Sequence, residues 1–371
     1  MVFTTNTKPL VDALALGVIN SNVSKFYNKS CILQIAAQGS DLTLNVEAKQ
    51  IKSEIHLKGF SDIPETQIRL VDNLVFKQLV GTFDTSTVQI EFIEGGISLI
   101  SGSAKFNLPN IIDVSDVQLN RPDAGTTDVV TPVEVDKTSW KFVKDNQMYA
   151  IAMSFMKPVY TYVYVDEDGH VIVGDMDNGL FTLSKKSDLG ITCLLPDTIV
   201  NLFNSLPEGA TISNGPNRSY NIHVKTDSFS MLSQFTPFYE DNEEIGSYNA
   251  DVILGMMAEP DEYVSVKTAA LSKFLSQASI LSTNVDDTIE FKYESGTNKI
   301  ILSDSHVNNE VPCEGAASDV KIMFRLDSLR QVINNYSDEQ INLTPIINDG
   351  DPVGILVCGP SLKTMIAGVE S

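Results

Sequence analysis

The chain has 371 residues, is 43% hydrophobic and 20% charged, and carries 26 basic against 48 acidic side chains, a net charge of −22. That length predicts two or three domains of roughly 100–200 residues each. The apolar content excludes wholesale disorder, and the lack of any run of roughly 18 apolar residues excludes a membrane-spanning helix.

The opening residues, MVFTTNTKPL, lack the basic-then-apolar pattern of a secretory signal, so a cytoplasmic location is expected. Leu10, Val11, Leu14, Val18 and Ile19 then recur at helical spacing. Strand-like runs follow at 31–37, 41–48 and 51–57, with Gln38-Gly39 as a turn between the first two. A second short helix is expected over 72–83, leading into strands at 88–92, 97–101 and 104–108. The same succession returns with a helix containing Trp140, Val143 and Ile151. Strands at 159–165, 170–175 and 180–184, a helix after Pro196, and strands at 218–225 and 228–235 complete it. A third round opens with the apolar stripe Leu271, Phe274, Leu275 and Ala278. It closes with strands at 288–294 and 298–304, a helix holding Leu329, Val332 and Ile333, and two final strands.

The second helices superpose directly. Leu79-Val80-x-x-Phe83, Leu202-Phe203-x-x-Leu206 and Val332-Ile333-x-x-Tyr336 share an apolar pair followed by a large side chain. Strands begin nine residues after the first member in two copies, at Val88 and Ile341. The separations are 202 − 79 = 123 and 332 − 202 = 130, both near a third of the chain. Periods that long mean domains rather than solenoid repeats of roughly 20–50 residues. The expected domains are 1–123, 124–246 and 247–371. Polar linkers are expected at 121–132, with Gly and Pro, and at 238–250, acidic and solvated.

Cys31, Cys193, Cys313 and Cys358 form no Cys-x-x-Cys pair and read as reduced, buried thiols. The net acidity argues against coating nucleic acid by bulk attraction, so the placement of lysines is informative. Lys137, Lys141 and Lys144 follow i, i+4, i+7 on one helix face, away from Trp140 and Val143. Lys77, Lys273 and Arg330 lie off the apolar stripes of their own helices.

In this arrangement the chain resembles the bacterial DNA polymerase III β subunit, the sliding clamp. Residues 278–282 before TIEFKYE resemble that family's helix end running into its next strand. FRLDSLRQVINNYSDEQINL (324–343) resembles its second helix and following strand, and SFSMLSQFTPFY (228–239) its junction between domains two and three. The tail TMIAGVES (364–371) stands where the family has its C-terminal strand, with Ala367-Gly368-Val369 in place of Met-Pro-Met.

The resemblance implies an α+β fold of three tandem clamp domains, helices packed on antiparallel sheets, forming half of a closed ring. A domain of this size is roughly 36 Å wide as a sphere; six in a ring leave a hole of roughly 36 Å, enough for a duplex of about 20 Å, while three leave about 6 Å. A homodimer joined head to tail through the first and third domains is therefore expected. It would hold double-stranded DNA without sequence preference, serving a DNA polymerase and a clamp loader in the cytoplasm of a bacterium or a phage-infected cell. Lys25, placed after the first helix like a basic residue of the family, would join the six cations above in reaching phosphates. A partner-peptide pocket would be walled by Gly174, Asp175, Leu180, Pro237, Pro352, Met365, Ala367, Gly368 and Val369. The family's Asp-Gly-His-Arg-Leu segment reads here as residues 175–180, longer and without the basic pair.

No phosphate-loop or dinucleotide motif occurs, and His56, His170, His223 and His306 are scattered, so no cofactor, metal or enzymatic turnover is expected. Asp175-x-Asp177-x-Gly179 and Asp166-Glu167-Asp168-Gly169 read as turns rather than calcium loops. Two other readings stay open: a tandem-domain β-rich structural or assembly protein of a virion, and a hydrolase with a carboxylate site.

Overall fold

The computed structural model describes residues 1–17, 32–48, 51–111, 119, 121–123, 132–152, 157–239, 245–258, 261–282, 287–304 and 306–369. Its elements begin with β1 (Val2–Asn6), α1 (Thr7–Gly17), β2 (Ile32–Gln38), β3 (Asp41–Ala48), β4 (Ile51–Lys58) and β5 (Phe60–Ser61). Next come β6 (Gln67–Asp72), α2 (Asn73–Gly81), β7 (Thr87–Ile93), β8 (Gly96–Ser101) and β9 (Ala104–Pro109). The middle third holds β10 (Val133–Glu134), α3 (Lys137–Asn146), β11 (Tyr162–Val165), β12 (His170–Asp175) and β13 (Leu180–Lys185). It continues with β14 (Cys193–Pro196), α4 (Asp197–Ser205), β15 (Thr211–Asn214), β16 (Tyr220–Lys225) and β17 (Phe229–Phe235). The last third holds α5 (Ala250–Met256), β18 (Tyr263–Lys267), α6 (Thr268–Leu281), β19 (Thr288–Tyr293), β20 (Lys299–Ser303) and β21 (Asn308–Ala316). The chain ends with β22 (Val320–Arg325), α7 (Leu326–Asn334), β23 (Gln340–Asn348), β24 (Asp351–Cys358) and β25 (Lys363–Ala367).

Two compact units result, Met1–Thr138 with Asp197–Phe238, and Ser139–Pro196 with Tyr239–Ser371. The first unit contains a five-stranded sheet, β5-β1-β7-β8-β9, and an eight-stranded one, β10-β15-β16-β17-β4-β3-β2-β6. Strands of the first third and the middle third meet where β17 runs antiparallel to β4, from Phe229 opposite Leu57 to Phe235 opposite Ile51. Within that seam the hydroxyls of Ser53 and Ser233 lie 2.7 Å apart, both buried. The small side chains let the strands keep register while each satisfies the other's polar atom. Helix α1 packs over β4 and β17 and against α2. The start of α2 is fixed by Asp72, whose Oδ1 accepts from the amides of Leu74 and Val75, each at 2.9 Å.

The second unit is built on one twelve-stranded antiparallel sheet, β14-β11-β12-β13-β25-β24-β23-β18-β21-β20-β19-β22. Here the middle and last thirds meet where β13 pairs with β25, Leu180 opposite Ile366 through Leu183 opposite Lys363. Again two small hydroxyl residues face each other at the seam, Thr182 and Thr364, both fully buried. Gln147 and Tyr336 secure them: Gln147 Nε2 donates to Thr182 Oγ1 at 3.3 Å, and the Tyr336 hydroxyl lies 2.9 Å from Thr364 Oγ1. Helices α6 and α7 close the core of the last third with Leu271, Phe274, Leu275, Leu329, Val332 and Ile333.

The repeat is visible side chain by side chain. Thr7, Leu10, Ala13, Leu14 and Gly17 are buried in α1; Thr268, Leu271, Phe274, Leu275 and Ala278 are buried in α6, every one offset by 268 − 7 = 261. The Thr7 and Thr268 amides even donate to equivalent carbonyls, Ser86 at 3.0 Å and Glu339 at 3.1 Å. In the second helices the buried i, i+4 pairs are Phe76–Val80, Ile199–Phe203 and Leu329–Ile333. Their offsets are 199 − 76 = 123 and 329 − 199 = 130, the spacings expected from the sequence.

Three expectations need correction. The run 159–165 begins as a 3₁₀ turn, Pro158–Thr161, because proline at its start presets a helical φ. Helix α3 stops at Asn146, and a separate 3₁₀ turn over Met148–Ala150 precedes Ile151. The acidic stretch 238–250 is not simply solvated, since Ile245 and Tyr248 are buried and α5 begins at Ala250. Val18, Ile19 and Cys31 lie outside the described residues. Cys193 and Cys313 are buried and Cys358 is half-buried; burial pushes the Cys193 thiol well up, leaving it unreactive.

Trp140, the only tryptophan, is fully buried and its Nε1 donates to Asp188 Oδ1 at 2.8 Å. Replacing Trp140 by Ala is expected to cost about 3–5 kcal/mol in denaturant unfolding followed by circular dichroism. Asp188→Ala, which removes the carboxylate that accepts from the indole N–H, is expected to cost about 1–3 kcal/mol.

Candidate functional site

Residues 174–180 form the tip of the β12–β13 hairpin, and the turn chemistry is supplied by Asp175. Its Oδ1 accepts from the amide of Asp177 at 2.9 Å and from that of Asn178 at 3.3 Å, and its Oδ2 accepts from Asn178 Nδ2 at 2.6 Å. Asp175 is buried and committed to this turn, so its charge is not offered to a ligand. Gly179 follows at φ +58, and any Cβ there would collide with the side chain of Ala367. That close approach lets the Ala367 amide donate to the Gly179 carbonyl at 2.9 Å. Beyond β25, the Gly368 amide donates to Val353 O and the Val369 amide to Met323 O, both at 2.8 Å.

The second unit therefore brings Leu180, Ala367, Gly368 and Val369 together, with Pro352 next to Val353 in β24. Gly174 and Met365 belong to the same sheet but are buried, Gly174 beneath the ring of Phe181 and Met365 opposite it in register. Pro237 is buried in the first unit. Around this hairpin the exposed apolar side chains are Ile347 and Val353, neither of which the sequence reading singled out. Their signal was hidden because both lie in runs that look like ordinary strand interior. Arg325 is the nearby cation, with Nη1 3.4 Å from Asn178 Oδ1.

Among the basic residues, Lys137, Lys141 and Lys144 are all exposed on α3, with Trp140 and Val143 buried beneath the helix. Lys141 is ion-paired to Asp145 one turn on. Lys273 is exposed on α6, whereas Lys77 is half-buried on α2, where desolvation lowers its pKa. The Arg330 guanidinium is held by Asp327 Oδ1 at 2.9 Å and donates to Ser279 Oγ at 2.9 Å. Lys25 lies outside the described residues. Among the described residues, the acidic and histidine ligands close enough to share an ion are Asp166, Asp168 and His170. Asp166 already accepts from the His170 amide and sits 2.8 Å from its Nδ1, closing the β11–β12 turn.

Solved structures supply the comparison. A DNA polymerase III β subunit from Thermotoga maritima matches with a TM-score of 0.76 at 13% identity, over 100% of this chain and 99% of that one. A sliding clamp from C. crescentus gives 0.75 at 15%, and a putative DNA polymerase III β subunit from Eubacterium rectale 0.74 at 14%, each over the whole of both chains. The chain has the fold of a bacterial sliding clamp. No family model and no curated protein matches it at the level of sequence.

Within the clamp fold, the expected α+β class and antiparallel sheets are present, and the likeness runs end to end although about six residues in seven differ. The seam between β13 and β25 depends on the Gly179–Ala367 approach, which gives a direct test. Gly179→Ala is expected to destabilise more than Gly190→Ala. Both glycines have positive φ, +58 and +62, but a Cβ at Gly190 meets nothing. The control should lose about 1 kcal/mol and G179A clearly more, read as midpoints of urea unfolding.

Proposed function

We propose that this chain is a DNA sliding clamp, in which two copies close head to tail around duplex DNA and tether a polymerase placed there by a clamp loader. The three modules are those of the sequence repeat, 1–123, 124–246 and 247–371. The observation that carries this reading is a pairing rule used twice. The strand closing one third bonds to a hairpin strand of the preceding third, β17 on β4 and β25 on β13. Two strands have the edges this rule would use next. β9 closes the first third and pairs only with β8 among the described residues. The first half of β21, Asn308–Pro312, pairs among the described residues only with β20. Val311 stands to β21 as Thr182 does to β13 and Ser53 to β4, since 311 − 182 = 182 − 53 = 129.

Docking β9 of one copy on β21 of another, twice, consumes every edge of this kind and closes a two-fold ring. The surfaces match in character. Phe106 of β9 is 38% exposed; at the end of α6, Ile280 and Leu281 are 80% and 51% exposed. The corresponding end of α1, at Gly17, abuts Ile55 of β4 and lies near Met231 of β17, over an internal seam. By the 261-residue offset, Ile280 and Leu281 would lie over the seam between copies.

Exposed Lys137, Lys144 and Lys273 would face phosphates, as would Lys25, with Lys77, Lys141 and Arg330 weaker contributors for the reasons of pairing and burial given above. In so acidic a protein, closure rather than attraction would hold the duplex. The edge of the β12–β13 hairpin with β25 and Pro352 would take the apolar peptides of partners. No turnover is proposed.

Light scattering at micromolar concentration should give twice the monomer mass, and Phe106→Asp with Leu281→Asp should give the single mass; a wild-type monomer overturns the ring. Loaded protein should stay on circular DNA and run off linear DNA, and equal escape from both rejects encirclement. Lys137→Ser with Lys144→Ser should reduce the slope of log affinity against log salt by about 2, at roughly 0.9 per phosphate contact.

A further inference from the structure

Tyr248 follows the acidic stretch at the start of the last third, yet only 5% of it is exposed. Its ring lies parallel to that of Tyr164, centroids 5.1 Å apart with planes at 12°, and leans on Tyr160 at 5.1 Å. Tyr160 in turn meets Phe181 edge-on at 5.7 Å. Phe181 covers Gly174 and pairs in register with Met365. An unbroken aromatic row therefore runs from Tyr248 to two residues of the partner-peptide wall. All of these residues belong to the second unit.

The segment carrying Tyr248 also buries Ile245 and Met257 at its two ends. Helix α5 is two turns long; it buries Ala250 and Ile253 but leaves Val252 56% and Met256 45% exposed. Its end is tied by Lys363 Nζ donating to Met257 O at 3.1 Å. The Tyr248 hydroxyl is buried without a hydrogen-bond partner among the described residues. A buried phenol that no protein group accepts from or donates to weakens the packed state by about tenfold relative to a phenyl ring in its place. Aromatic stacking favours the site for a planar side chain; the unpartnered hydroxyl makes this particular occupant replaceable.

We propose that Ile245–Met257 is a built-in cover over the partner-peptide wall, anchored by Tyr248, and that a peptide with an aromatic side chain binds by taking the place of Tyr248. This rests on the peptide site of the proposed function. It assigns that site an aromatic specificity and a competitor within the same chain. Affinity for a partner is then the difference between its own aromatic contact and that of Tyr248.

The test uses the full chain and, as probe, a fluorescein-labelled synthetic peptide of residues 245–257. By anisotropy it should bind Tyr248→Ala at least tenfold more tightly than wild type, and the same peptide with its tyrosine replaced by alanine should not bind. Tyr248→Phe removes only the hydroxyl, so hydrogen exchange of amides 245–257 should slow about tenfold. Equal peptide binding to wild type and Y248A, or exchange that is unchanged or faster in Y248F, overturns the proposal; if Y248A does not fold, the Y248F measurement decides alone. The mass and DNA-retention measurements do not read this contact. A monomer in which Y248F slows exchange removes the clamp reading and leaves the cover. A retained dimer with unchanged exchange removes the cover only.

Discussion

Backbone hydrogen bonding at strand edges is the constraint on which the architecture depends. A strand that ends a module still presents a row of N–H and C=O groups on its outer side, and leaving them bare invites uncontrolled pairing. Here β17 and β25 direct that row onto β4 and β13, so that sheets grow to eight and twelve strands. Apolar helices then need only cover the faces of sheets whose edges are already committed. Each seam carries a buried pair of large apolar side chains, Met231 opposite Ile55 and Phe181 opposite Met365. Beside these stand serine on serine and threonine opposite threonine, which add buried hydroxyls to that bulk in fixing the register.

Electrostatics works against nucleic acid in this protein more than for it. A net charge of −22 sets a repulsive field, and two of the candidate cations are already engaged, Lys141 by Asp145 and Arg330 by Asp327. Exposed cations remain on α3 and α6, too few to gather DNA from solution by attraction. Topological closure suits such a surface, because a ring needs only weak, non-specific contacts along its bore. In the proposed ring, exposed lysines would smooth the path rather than bind.

Much of this was legible in the sequence. The 123- and 130-residue spacings of the second helices survive as buried i, i+4 pairs, and the turn role of Asp175 followed from its spacing to Asp177 and Gly179. Long-range pairing was less legible. Nothing in the local pattern of β13 announces that its outer edge belongs to a strand nearly two hundred residues later. Exposure of Ile347 and Val353 was likewise invisible, since strand periodicity reports which residues alternate and not where a sheet ends. Tyr248 was masked by its acidic neighbours, because composition averages over a stretch while burial is decided one side chain at a time.

The Ser53–Ser233 contact joins positions 180 residues apart in the chain. A valine at one of them strands the other hydroxyl in a dry seam, whereas apolar residues at both leave nothing unsatisfied. Neither codon can drift freely while its counterpart stays put. Two distant points of the gene are thereby bound to a shared history, and a record of correlated substitution should mark the seam even where overall similarity between relatives has faded.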